Sequence, residues 1–183
     1  MSYQLEYKQK FDDLDYRLNN LDELRRIANG GNSILFTYPP EDEHLYIKKA
    51  IELYQSKAHF IDIAQLLVNF IDQDGIKEFE DLYRDFINTP HELFRSKDDP
   101  ITDLYDMIIS EIKKAFNEGK IPIIVRTGSL YGTGIENNNI MEHKDIMNNQ
   151  IPLVVFYPSK IKDDTIYFLN FKIANKYRCT VVK

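Results

Sequence analysis

The fold of this chain is decided by the stretch Ser33-Ile34-Leu35-Phe36-Thr37-Tyr38-Pro39-Pro40-Glu41-Asp42-Glu43. Its first half is apolar enough for a core strand, and its second half begins a helix with carboxylates in the first turn, where the helix dipole favours them. Nucleotide-binding α/β proteins carry a glycine-rich phosphate loop at such a junction. Here the prolines lack an N–H and the carboxylates repel phosphate, so the junction does not predict a nucleotide site.

Length and composition predict a globular domain. The chain has 183 residues, of which 43% are hydrophobic and 28% charged, and its formal net charge is −6. A chain of this length buries roughly 70% of its unfolded surface, so it needs no disulfide or metal to fold. The negative charge argues against broad, sequence-independent contact with nucleic acid, which depends on Lys and Arg.

The cysteine content and the N-terminal sequence predict a cytoplasmic protein. The lone Cys179 cannot form an internal disulfide, and we expect it to be a small apolar strand residue rather than a reactive thiol. The first residues, MSYQLEYKQKF, contain no apolar signal-peptide core, and no apolar run approaches the length that spans a membrane.

The N-terminal part predicts one amphipathic helix over residues 3–28. Its apolar positions recur three and four residues apart, at Phe11, Leu14, Leu18 and Leu21. This stripe either packs on the protein's own sheet or forms a seam for a partner; globular helices normally bury such a stripe, which favours the first alternative.

The rest of the chain alternates apolar strands and helices, which predicts an α/β fold with a mostly parallel sheet flanked by helices. Strands are expected at 34–36, 59–63, 121–125 and 151–156, and strand-like stretches at 165–171 and 177–182 predict an antiparallel C-terminal edge. A helix over 101–116 is expected to start with Asp99-Pro100 and to stop at Gly119. Further helices are expected after Pro40, at 140–147 and along the apolar positions Ile76, Phe79, Leu82, Tyr83, Phe86 and Ile87.

A second candidate site follows the strand at 121–125, because ligands of parallel sheets usually meet the carboxyl ends of the strands. The loop there concentrates glycines, hydroxyls and an arginine: Arg126, Thr127, Gly128, Ser129, Tyr131, Gly132 and Gly134. It is either an anion-binding or ligand-binding loop, with backbone N–H groups and Arg126 facing the ligand, or an ordinary loop after a buried strand. Its spacing matches no phosphate-loop or dinucleotide motif, which favours the second interpretation.

Other chemical signals are weak. The four histidines are dispersed and form no HExxH or Cys/His spacing, and no GxSxG nucleophile motif is present. These residues therefore favour neither a metal site nor a nucleophilic hydrolase, and no cofactor is expected.

The ordered motifs resemble the BrxB family of BREX phage-defence systems. They are the YPPEDE segment at 38–43, the Arg126-Thr127-Gly128-Ser129-Leu130-Tyr131 loop, an Asn-rich helix approach at 137–149, the PLVVFYP strand at 152–158 and the closing Tyr177-Arg178. The likeness covers nearly the whole chain, from about Phe11. The family loop more often continues with apolar residues, whereas Gly132 to Gly134 is glycine-rich here.

The resemblance implies a single BrxB-like α/β domain over residues 1–183, similar to a P-loop ATPase fold without the Walker motifs. It further implies a non-enzymatic adaptor that binds a PglZ-like phosphatase-superfamily protein, and other BREX subunits, in support of host DNA methylation and phage exclusion. Contact with DNA would then be indirect. The residues expected to bind the partner are those of the proline corner and one tyrosine: Tyr38, Pro39, Pro40, Glu41, Asp42, Glu43 and Tyr157.

Two alternatives remain open at this point. One is a nucleotide-binding regulatory protein that uses the loop at 126–134. The other is a DNA-contacting accessory protein with a local basic cluster at Lys160, Lys162, Lys172, Lys176 and Arg178.

Overall fold

A computed structural model describes residues 3–95, 103–174 and 178–183. The helices are α1 (Tyr3–Asn19), α2 (Leu21–Ile27), α3 (Glu43–Tyr54), α4 (Ile63–Asp72), α5 (Ile76–Asp85), α6 (Pro90–Phe94), α7 (Leu104–Asn117), α8 (Asn137–Met141) and α9 (Lys144–Met147). The strands are β1 (Ser33–Tyr38), β2 (Ala58–Asp62), β3 (Ile121–Val125), β4 (Leu153–Lys162), β5 (Thr165–Phe168), β6 (Lys172–Ile173) and β7 (Thr180–Val182). The expected helix start at Asp99-Pro100 and the motif residue Tyr177 lie outside the described residues.

The sheet is mostly parallel, which confirms the predicted fold class. Its central order is β2-β3-β4-β1-β7, and all of these neighbours run parallel. The distal half of β4 continues into an antiparallel ladder with β5, and β5 pairs with β6. The antiparallel edge is therefore formed by β5 and β6, whereas β7 lies parallel to β1, contrary to the expectation for 177–182.

Helices cover both faces of the sheet because alternate residues of each buried strand point to opposite sides. On one face, Ile34 and Phe36 of β1 join a core with residues of α1, α2 and α3. On the other face, Leu35 joins a core with residues of α4, α6, α7, α8 and α9. Every residue of β1 is buried, as expected for a central parallel strand.

The predicted N-terminal helix is divided in two. Asn20 leaves the helical conformation, with φ −129° and ψ 62°, and separates α1 from α2. Leu14 is fully buried, and the ring of Phe11 lies 5.0 Å from that of Phe36 in the sheet. Leu18 and Leu21 pack against the same core. The apolar stripe thus packs on the protein's own sheet.

Two other helical predictions have different outcomes. Helix α7 ends where expected, since Gly119 has φ +66° and its N–H donates to the carbonyl of Phe116. Among the described residues, the side chain of Asp103 caps the start of α7 by accepting from the N–H of Asp106 at 2.8 Å. The stretch 140–147 is not one helix, because His143 has extended backbone between α8 and α9.

Within 3–95, 103–174 and 178–183, none of the helices combines the length and the apolar character needed to cross a bilayer.

Candidate functional site

The first candidate site is the corner between β1 and α3. Tyr38 is fully buried, and its hydroxyl donates a hydrogen bond to Oε2 of Glu43 at 2.7 Å. Burial, together with the Glu43 carboxylate, raises the pKa of Tyr38 far above its ordinary value, so the hydroxyl stays protonated and keeps donating. Pro39 is extended, and a single 3-10 turn over Pro40–Asp42 leads into the helix. The hydrogen bond between Tyr38 and Glu43 therefore joins the end of β1 to the start of α3.

The corner presents carboxylates rather than aromatic rings to the solvent. Glu41 is exposed, and Asp42 and Glu43 are partly exposed. The expectation that Tyr38 and Tyr157 form part of a contact surface needs correction, because both side chains are buried. The ring of Tyr157 lies 4.7 Å from that of Phe168 and belongs to the core under the antiparallel ladder.

A buried lysine that the sequence analysis missed ties α1 to the end of β1. Lys10 is buried, and its ammonium donates to the backbone carbonyl of Thr37 at 3.0 Å. Burial lowers the pKa of Lys10. Its surroundings include the ring of Tyr46, whose centroid lies 5.9 Å from Nζ. Lys10 precedes the apolar stripe by one residue, and its sequence context gave no sign of burial.

The second candidate site is the loop after β3. Arg126 has a left-handed backbone with φ +56°, and its guanidinium forms an ion pair with Asp62 at 2.5 Å. Asp62 lies at the carboxyl end of β2, in register with Val125, and also caps α4 by accepting from the N–H of Gln65. Sequence reasoning missed Asp62, although its place at a strand end was a signal. The guanidinium is thus directed to a carboxylate within the chain.

Several hydrogen-bond donors of this loop are satisfied within the chain. The N–H groups of Ser129, Tyr131 and Thr133 donate to the carbonyls of Arg126, Gly128 and Leu130, respectively. The hydroxyl of Thr127 is buried and donates to the carbonyl of Phe156 at 2.7 Å. An anion-binding nest needs consecutive N–H groups that face outward. The arrangement favours a structural turn.

Packing explains one glycine of the loop. Gly134 has φ +76°, and a Cβ at this position would lie 2.3 Å from the Cβ of His91 in α6. Gly132 has φ +89°, but apart from its chain neighbours no atom of the described residues lies within 4 Å of the place that its Cβ would take. Gly134 therefore allows α6 to lie directly against the loop, a role that needs no ligand.

Two concave surfaces lie near these residues. A cavity of about 370 Å³ lies between the loop, α6 and the β5–β6 ladder; the Glu136–Lys172 ion pair, 3.2 Å long, is part of its wall. A groove of about 360 Å³ runs along α3. The groove is lined by Glu43, His44, Ile47, Lys48, Ile51, Glu52 and Arg126, so it connects the acidic corner with the loop arginine.

The comparisons with known proteins give no relative. No family model, curated protein or solved structure matches this chain. The resemblance to BrxB proteins therefore rests on the sequence motifs alone.

The remaining chemical groups do not converge on a site. Among the described residues, no three His, Cys, Asp or Glu side chains lie close enough together to hold a metal ion. His59 instead pairs with Glu111, with 2.8 Å between Nε2 and Oε2. Burial raises the pKa of the Cys179 thiol to about 12, which disfavours the reactive thiolate.

The basic cluster at 160–178 is a less favourable surface for DNA than its sequence suggests, because the charge of Lys172 is paired with that of Glu136. Lys176 lies outside the described residues, and Lys160, Lys162 and Arg178 are exposed.

Proposed function

We propose that this chain is a non-enzymatic adaptor of a BREX phage-defence system that binds a PglZ-like phosphatase-superfamily protein. The ordered motifs between residues 38 and 178, which resemble those of BrxB proteins, support this function. The observation that carries it is the acidic, hydrogen-bonded corner at the end of β1, continuous with the groove on α3. In the adaptor, this surface holds a basic surface of the partner and supports assembly of the complex.

The chemistry of the corner favours a protein partner over a nucleotide. A bound phosphate requires N–H donors and positive charge at the end of β1. Pro39 and Pro40 have no N–H, and Glu41, Asp42 and Glu43 bring negative charge. The hydroxyl of Tyr38 is engaged by Glu43. A cationic protein side chain would gain from the same carboxylates.

The adjoining groove has the composition of an interface centre with a charged rim. Ile47 and Ile51 supply apolar surface, while Lys48, Glu52 and Arg126 surround it with both signs of charge. Buried apolar contacts of this kind supply most of the binding energy of an interface, and the surrounding charges select the partner.

The test is direct binding between the purified chain and the PglZ-like protein encoded in the same defence locus, by calorimetry at micromolar concentrations. The variant Glu41→Ala/Asp42→Ala/Glu43→Gln removes three charges from the corner. Glutamine retains an acceptor for Tyr38. The matched control Asp12→Ala/Asp22→Ala/Glu142→Ala removes three charges from exposed positions elsewhere.

We expect the wild type and the control to bind and the corner variant to bind about tenfold more weakly or worse, the effect of losing close charge pairs. Equal affinity of the two variants would remove the corner from the interface. No association of the wild type at micromolar concentrations would reject the direct adaptor.

A further inference from the structure

Helix α5 is strongly amphipathic, yet its apolar side is left open. A helix on a globular protein normally buries its apolar stripe. Among the described residues, none of α5 is fully buried, and Phe79 alone of its side chains packs against the neighbouring core, in contact with Phe70 and Phe94. Large apolar side chains beside Phe79 remain in solvent.

The exposed side chains form a row. Ile76 and Tyr83 are seven residues apart and lie on the same side of the helix, and Ile87 lies in the turn that follows it. Their exposed fractions are 76%, 38% and 58%. Three large apolar residues with this exposure within one short segment mark an interaction surface, unlike a single exposed residue.

The surroundings of this row are acidic. Residues 72–85 carry six carboxylates and two basic side chains, a net charge of −4 within a chain whose formal net charge is −6. All eight charged side chains are exposed. Arg84 pairs with Glu80 and Asp81, which leaves Asp72, Asp74, Glu78 and Asp85 around the row with only Lys77 to offset them. We name this region, the row and the charges of residues 72–85, the acidic α5 surface.

We propose that the acidic α5 surface is a docking site for a cationic amphipathic helix of a partner protein. An apolar row with helical spacing fits the apolar face of a second helix, whose anchors recur at three, four and seven positions. Lysine or arginine flanking those anchors complements the net charge of −4. The site lies on α5, on the side of the sheet opposite to α3, and it does not depend on the proposed BREX function.

The charge excludes other occupants on physical grounds. A second copy docked through the same surface would bring two sets of carboxylates together, which is repulsive. An anionic membrane surface and a nucleic acid backbone would be repelled as well. A second copy is one of the outcomes of the test below.

The probe is a fluorescently labelled 18-residue peptide of leucine and lysine, with leucines at helical spacing. A peptide of the same composition with scrambled order serves as its control. Anisotropy is measured while the full-length chain is titrated, at about 20 mM and about 500 mM salt. The same titrations are run on Ile76→Ser/Ile87→Ser and on the matched variant Leu5→Ser/Ile27→Ser, whose side chains in α1 and α2 are 48% and 50% exposed. These changes leave the net charge unaltered, and circular dichroism verifies the fold.

We expect the wild type and the Leu5→Ser/Ile27→Ser variant to bind the ordered peptide in preference to the scrambled one, with binding that weakens at high salt. Ile76→Ser/Ile87→Ser should reduce affinity at least about tenfold, because the two anchors are lost while the charge remains. Equal binding of the ordered and scrambled peptides, equal loss in both variants, or no binding by the wild type would overturn the proposal. Sedimentation velocity supplies a further test, since a wild-type dimer that dissociates in the Ile76→Ser/Ile87→Ser variant would identify a second copy as the occupant.

Discussion

The hydroxyl of Tyr38, the last residue of β1, donates a hydrogen bond to the carboxylate of Glu43, the first residue of α3. This bond closes the corner at which a nucleotide-binding protein would hold phosphate. Because Tyr38 is buried and Glu43 is partly exposed, removal of one partner should cost more stability than removal of the other. Loss of the acceptor leaves a buried hydroxyl, whereas loss of the hydroxyl leaves a carboxylate that water can reach.

Glu43→Ala should therefore destabilise the protein more than Tyr38→Phe. We expect a loss of about 1–3 kcal/mol in the free energy of unfolding for Glu43→Ala and about 0.5–1.5 kcal/mol for Tyr38→Phe. Urea unfolding followed by circular dichroism measures both. Glu41→Ala is the control, because its side chain is exposed, and should change stability little. The reverse order of the two losses would contradict the assignment.

Leu14→Asp should prevent folding. Leu14 is fully buried between α1 and the sheet, so the substitution places a carboxylate without a partner in an apolar core. The control Leu5→Asp changes an exposed residue of the same helix and should leave the thermal transition in place. A Leu14→Asp protein that unfolds cooperatively at the wild-type temperature would show that α1 contributes little to the core.

Gly134→Ala should cost more stability than Gly132→Ala. Both residues have positive φ, which costs roughly 1–2 kcal/mol for a residue with a Cβ. Only Gly134 has a neighbour in the way, since its added Cβ would lie 2.3 Å from that of His91. Thermal unfolding of the two variants measures the difference. Equal losses would mean that α6 moves away from the loop without cost.

The thiol of Cys179 should make stability fall at alkaline pH. Burial raises the pKa of this thiol from 9.0 to about 12, so the folded protein retains a proton that the unfolded chain releases. The stabilisation is fully present below pH 9 and is lost as the pH rises toward 12. Urea unfolding at pH 8 and pH 10.5 should show a smaller decline for Cys179→Ala than for the wild type. An identical decline in the two proteins would refute a raised pKa for this thiol.

Local sequence patterns were sufficient to predict those features that depend on neighbouring residues. The unbroken apolar runs at 34–36 and 121–125 predicted central strands because strands buried on both faces have no polar side. Gly119 predicted the end of α7, since a left-handed residue there accommodates the closing hydrogen bonds. The YPPEDE segment likewise showed by its composition alone that the end of β1 offers neither N–H donors nor positive charge.

Contacts between residues far apart in the sequence decided which side chains pair and which are buried. Arg126 and Asp62 are 64 positions apart in the chain, and they meet because β2 and β3 lie side by side in the sheet. The same apolar spacing predicted an apolar face for α1 and for α5. Leu14 meets the sheet, whereas Ile76 meets solvent. The sequence by itself determined most of the segments that form helices and strands, and which face of each is apolar, because those properties depend on residues within a few positions. Only the tertiary structure decided what each face contacts, because burial depends on strand order and helix placement, which are stabilised by many weak contacts across the chain.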